Sequence, residues 1–95
     1  MKTRSIKELL MILRDSEKLF IERECEGLCW LILVLYNDDI LTNDEAIKVE
    51  SFIHKKCKKN KRYYYNNDHN YRAFYFPMGK WEPRLKWLKK QIEKL

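Results

Sequence analysis

From Leu28 to Tyr36 the chain runs nine residues without a charge, Leu-Cys-Trp-Leu-Ile-Leu-Val-Leu-Tyr, and no other feature so narrows the folds open to it. The run is about half of the ~20 residues that a membrane-spanning helix requires. Wound into a helix it is apolar on every face, so its own domain, or a second subunit, must surround it. The spacing predicts a helix from about Glu24 to Tyr36. Glu22, Glu24 and Glu26 crowd its start, where carboxylates offset the positive end of the helix dipole. Gly27 falls in its first turn, where it permits close approach of a neighbour. One short domain has little else with which to cover such a helix, and a homodimer or larger closed oligomer is expected.

The remainder of the chain supplies helices to pack around it. With 95 residues it is long enough for one domain, 1–95, and too short for two. Two glycines and two prolines leave little material for a turn-rich all-β fold. The expected class is mainly α, a small bundle of about four helices. Ser5-Ile6-Lys7-Glu8 has the form of a capping box, and Ile6, Leu9, Leu10 and Leu13 follow at helical spacing. That helix loosens at Asp15-Ser16. Asn37-Asp38-Asp39 ends the apolar helix with turn formers. Thr42-Asn43-Asp44-Glu45 is a second capping box, and Ala46, Val49, Phe52 and Ile53 then mark an inward face antiparallel to the apolar helix. A short β-hairpin or extended segment is expected around residues 63–76, where Tyr and Phe are dense. Pro77-Met78-Gly79 turns the chain into a closing helix with Pro83 at its first position and Leu85, Leu88, Ile92 and Leu95 inward. Lys7, Glu8 and Arg14 interrupt the apolar positions near the start, so no secretory leader is expected. Three cysteines cannot all pair within one chain, and reduced thiols in a cytoplasm follow.

Several chemistries lack their parts. Cys25 and Cys29 stand four apart on one helix, and His54 and Cys57 three apart on the next; in an antiparallel hairpin the four could converge on zinc. Structural zinc sites favour ligands on loops and tight turns, however, and cysteine is among the commonest core residues. Buried thiols explain the spacing better, and no metal is expected. The acidic loop Asn37–Glu45 places Ile40 and Leu41 where calcium ligands would be needed and holds no glycine, so calcium is rejected. Two histidines without nucleophile partners, and no glycine-rich phosphate loop, argue for a protein that is not an enzyme and carries no cofactor.

Charge points instead to binding. The net charge is +6, which attracts anions and polyanions. Six of the eight residues from Lys55 to Arg62 are basic. Beyond them Arg72, Tyr75, Lys80, Trp81, Arg84 and Trp87 interleave cations that pair with phosphate and aromatic faces that stack on bases. Core anchoring by Trp81 and Trp87 is the competing account of the tryptophans. Sequence-specific readout of the major groove is disfavoured, because Asn43-Asp44-Glu45 puts negative charge where phosphates would approach.

Gly27-Leu28-Cys29, Leu35-Tyr36, Thr42 with Glu45, Tyr75-Phe76-Pro77-x-Gly79 and Pro83-Arg84-x-x-Trp87-Leu88 with Ile92 together form a pattern. It resembles that of small bacteriophage and prophage accessory proteins, over most of the chain from Gly27 onward. The group carries no assigned activity, so the resemblance implies a phage accessory protein in a bacterial cytoplasm and no more. The pattern singles out Arg84, a cation in a first helical turn where the dipole prefers an acid. Such a cation either serves an anionic ligand or pairs with a carboxylate such as Glu24 or Glu26. The resulting expectation is a non-enzymatic binder, foremost one that sequesters an anionic, nucleotide-type immune signal through Arg84, Trp81, Lys80, Arg72, Tyr75 and Trp87. The alternatives are a protein–protein inhibitor of a host defence or replication protein, and non-specific nucleic-acid binding through Lys55–Arg62.

Overall fold

Short-range capping and turn devices in the sequence bound several of the helices. A computed structural model describes residues 2–25, 27–57, 64–66, 73–75 and 81–95. The first helix, α1 (Ile6–Arg14), is opened by Ser5, whose hydroxyl accepts from the Glu8 N–H at 3.2 Å while the Glu8 carboxylate accepts from the Ser5 N–H at 3.2 Å. This is the expected capping box, satisfying two backbone donors at once. The chain breaks at Asp15–Ser16, as its sequence suggests, and resumes as the short α2 (Glu17–Glu22). Phe20 is the buried residue of α2, and Ile21 points outward.

The apolar helix, α3 (Leu28–Asn37), starts later than the spacing predicts. Glu24 adopts φ 52°, and behind it the Glu24 and Cys25 N–H groups donate to the Ile21 and Phe20 carbonyls at 3.1 and 2.9 Å. These are the paired bonds of a Schellman motif, which closes α2 and keeps Glu24 and Cys25 out of α3. Gly27 is accordingly the extended N-cap of α3 rather than part of its first turn. Glu22 belongs to α2, and Glu24 lies in the turn that follows it, so neither sits on the first turn of α3. Asp39, at φ 62°, ends α3 in the same way, with Asp39 and Ile40 donating to Tyr36 and Leu35.

After Thr42 comes α4 (Asn43–Cys57), which packs against both α3 and α1. Strands β1 (Tyr64–Asn66) and β2 (Ala73–Tyr75) pair antiparallel with Tyr65 opposite Phe74, a short hairpin within the segment where one was expected. The last helix, α5 (Trp81–Glu93), packs on α1 and α2. It begins two residues before Pro83. Its buried residues are Trp81, Arg84, Trp87, Leu88 and Gln91. Leu85 and Ile92 are only partly buried, and Leu95 is exposed. The expected stripe holds at Leu88 and turns about it towards Trp81 and Trp87, because burying two tryptophans removes more apolar surface from water than burying two aliphatic side chains. The result is a mainly α bundle whose core draws Leu9, Leu10 and Leu13 from α1, five residues of α3, Val49 and Ile53 from α4, and the inner face of α5. Among the described residues no helix is long and apolar enough to cross a membrane.

Candidate functional site

The expected ligand-binding residues fall into two groups. Arg72 and Lys80 lie outside the described residues, as do the side chain of Tyr75 and most of the basic segment from Lys55 to Arg62. The other three, Trp81, Arg84 and Trp87, all lie on the inner face of α5. Arg84 has no solvent-exposed surface. Its guanidinium carbon stands 5.2 Å from the centroid of the Phe20 ring, a cation–π contact that gains strength out of water. The Phe20 ring in turn meets Trp81 at 5.0 Å and a 50° tilt, within the preferred range for aromatic pairs. Phe20, on the short α2, therefore joins Arg84 and Trp81. The sequence singles out the last two, but no local pattern flags Phe20.

Cys25 borders this cluster. Burial pushes its thiol up to about 11, opposed by the positive charges of Arg23 and Arg84. A thiol so shifted is protonated near neutrality and is a poor nucleophile and metal ligand. Cys29 is half-buried, and the side chain of Cys57 lies outside the described residues. Among the described residues no group of three or more His, Cys, Asp or Glu is placed to hold a metal ion.

The second concentration of charge is structural in form. The Glu45 carboxylate is buried and accepts from Arg4 Nε at 2.8 Å, Arg4 Nη2 at 3.0 Å, the Arg4 backbone N–H at 3.0 Å and the Thr42 N–H at 3.0 Å. Arg4 Nη2 also donates to the Ile40 carbonyl at 2.7 Å, and Lys48 Nζ donates to the Arg4 carbonyl at 3.0 Å. Bonds from the Arg4 guanidinium, then from the Thr42 and Arg4 backbone N–H groups, hold the Glu45 carboxyl well below the usual carboxylate range. The cluster ties the segment before α1 to the start of α4. The capping half of it is visible in the sequence, and the Arg4 half, 41 residues away, is not.

One surface remains that core packing does not account for. On α3, Trp30, Leu33 and Tyr36 are 41%, 49% and 40% exposed, and on α4 Ile47 is 54% exposed. Between the two helices runs a shallow groove of about 230 Å³ lined by Cys29, Ile32, Leu33, Tyr36, Ala46 and Ile47, with Asn43 and Glu50 at its polar edge. The apolar helix is thus surrounded on only part of its circumference. Ile47 could have been found from the sequence, since it lies off the inward stripe of Ala46, Val49, Phe52 and Ile53. Leu33 could not, because a helix apolar all round does not declare which side faces out. The chain matches no family model, no curated protein and no solved structure among those compared.

Proposed function

We propose that this is a non-enzymatic binding protein that works by docking another polypeptide against the α3–α4 face. The observation that carries the reading is the co-location of Leu33 and Ile47, each about half exposed, on the two walls of one apolar groove. Single exposed leucines are ordinary. A contiguous apolar patch flanked by Trp30 and Tyr36 is not, because tryptophan and tyrosine are enriched where proteins meet. Burying one Leu or Ile side chain is worth about 1.5–3 kcal/mol, so this face has a gain in hand that an occupant would collect. In the setting implied by the resemblance to phage accessory proteins, the act of docking is the function, by occupying a host component or by building an assembly.

A photoreactive side chain at position 33 tests this. The chain is produced in a bacterial cytoplasm and irradiated. A discrete protein adduct at position 33 is expected, and the same probe at the exposed position Lys7 should give none. No adduct at position 33 overturns the reading.

Sequestration of an anionic, nucleotide-type ligand is the second reading. One observation favours it: the Trp81 indole N–H is buried and has no hydrogen-bond partner among the described residues. Binding of that kind, or to nucleic acid through Lys55–Arg62, draws on the net charge of +6 and weakens steeply as salt rises, while an apolar face is much less sensitive.

A further inference from the structure

We infer that the outer face of α5 binds the phosphate backbone of nucleic acid through Lys86, Lys89, Lys90 and Lys94, without reading base sequence. The inference is independent of the docking reading, since α5 packs on α1 and α2 and none of its residues lines the α3–α4 groove.

Charge is divided unevenly along this chain. The first 54 residues hold seven Lys or Arg against eleven Asp or Glu, a balance of −4, and the last 41 hold thirteen against three, a balance of +10. Solubility requires no such division, and a separation of this size between two parts of one domain is the footprint of polyanion binding.

On α5 the basic portion has a described surface. From Glu82 to Lys94 the exposed residues are Glu82, Lys86, Lys89, Lys90, Glu93 and Lys94, so every exposed residue is charged and lysine outnumbers glutamate two to one. Lys86 and Lys90 stand four apart on one side of the helix, about 6 Å from each other along its axis, and Lys94 continues their line just past its end. Among the described residues the ion pairs engage Arg4, Arg14, Lys18 and Arg23, and no carboxylate, Glu82 and Glu93 included, holds any of these four lysines. Complementing the helix dipole accounts for Lys90 in the last turn, but not for Lys86 in the middle of the helix.

What the face lacks narrows the partner. A protein interface is centred on apolar or aromatic side chains, and a helix lying on a membrane needs an apolar side to sink among the lipids. Here Trp81, Trp87 and Leu88 are turned into the core, and the outward side offers neither. Neutralising phosphates requires charge alone. The two glutamates reduce the face to a net +2, which fits non-specific binding with dissociation in the micromolar range or weaker.

Fluorescence anisotropy of a labelled, mixed-sequence DNA duplex, titrated with the full chain between about 50 and about 200 mM salt, reads both affinity and its salt slope. Wild type should bind, with affinity falling steeply as salt rises. Changing Lys86, Lys89, Lys90 and Lys94 together to glutamine, which keeps helix propensity, should weaken binding at least tenfold at about 50 mM salt and reduce the log–log slope by roughly 2 to 4. Changing the same four to arginine should keep the wild-type slope. A chain with Leu33→Gln and Ile47→Gln should bind DNA as wild type does, so the docking reading and this inference fail separately. Wild type without DNA affinity at low salt overturns the inference, and so does a glutamine variant with wild-type affinity and slope. Equal affinity for polyglutamate, or for vesicles rich in anionic lipid, also overturns it, because the face would then not distinguish nucleic acid from any other polyanion.

Discussion

Replacing Glu45 with glutamine should unfold this protein more readily than almost any other change that preserves side-chain shape. Its carboxylate oxygens accept four hydrogen bonds, two each: Oε1 from Arg4 Nη2 and the Thr42 N–H, Oε2 from Arg4 Nε and the Arg4 N–H. An amide keeps one acceptor oxygen and turns a donor towards the other pair, so two of the four bonds are lost whichever way it sits. Hydrogen bonds to charged groups contribute about 1.5–3 kcal/mol each when buried. The Glu45 side chain is 4% exposed but that of Arg4 is 40% exposed, so water screens the pair and rehydrates the freed guanidinium. That discounts the simple sum for two bonds, about 3–6 kcal/mol, to about 2–4 kcal/mol. In a chain of this size it lowers the melting temperature by at least about 8 °C.

Acid titration isolates the cause. The Glu45 pKa is depressed on folding, so its contribution is complete above the ordinary carboxylate pKa of about 4.3 and is lost as pH falls further below it. Denaturation of wild type and Glu45→Gln side by side should show a gap that is flat from about pH 5 to pH 8 and narrows below about pH 4. A variant that melts within about 2 °C of wild type at pH 7 would refute the reasoning, and so would a gap that stays constant through acid.

The inner face of α5 should behave as core: Trp81→Ala and Arg84→Ala each lower the free energy of unfolding in urea, by about 3–5 kcal/mol for the tryptophan, and unchanged stability for both would return these residues to a ligand site. Glu24→Gly and Asp39→Gly, at φ 52° and 62°, relieve a left-handed conformation and should each leave the melting temperature equal or higher, by up to about 1 kcal/mol of stability; a clear loss would show that the acidic side chains themselves hold these turns. Cys25, with its thiol pushed up to about 11, should resist iodoacetamide at pH 8 in the folded protein and react at the ordinary rate in denaturant, as followed by peptide mass spectrometry.

What the sequence discloses here is local, and what it conceals depends on distant residues. Both capping boxes, the break at Asp15–Ser16 and the inward positions Val49 and Ile53 are legible because each depends on residues within one or two turns. The start of α3 is misread because Glu24 carries a left-handed turn that glycine usually signals. The orientation of α5 is misread for a different reason. Periodicity admits stripes about one residue apart, and the choice between Leu85–Ile92 and Trp81–Arg84 is made by Phe20, 61 residues before Trp81, whose ring meets both. A buried arginine is legible only once that ring is in place. Arg4 repeats the point, since nothing near it in sequence announces the carboxylate it binds.

Leu33 on α3 and Ile47 on α4 are about half exposed, and this makes positions 33 and 47 a separate test of what the fold requires. Leu33 is 49% and Ile47 54% exposed in one copy, and both lie within helices whose backbone bonds are complete without them. For folding of one copy these positions are nearly indifferent to polarity. Glutamine has a helix propensity close to that of leucine and slightly better than that of isoleucine, and it leaves no buried polar group behind. Leu33→Gln with Ile47→Gln should therefore stay within about 1 kcal/mol of wild type in urea denaturation, provided the protein is dilute enough to be monomeric. At high concentration the two should part. If the apolar face is occupied in solution, mass action stabilises wild type alone, and its melting temperature climbs with concentration while that of the variant does not. A variant that loses more than about 2 kcal/mol when dilute would show that Leu33 and Ile47 serve the core after all, and that the face is closed by the chain itself.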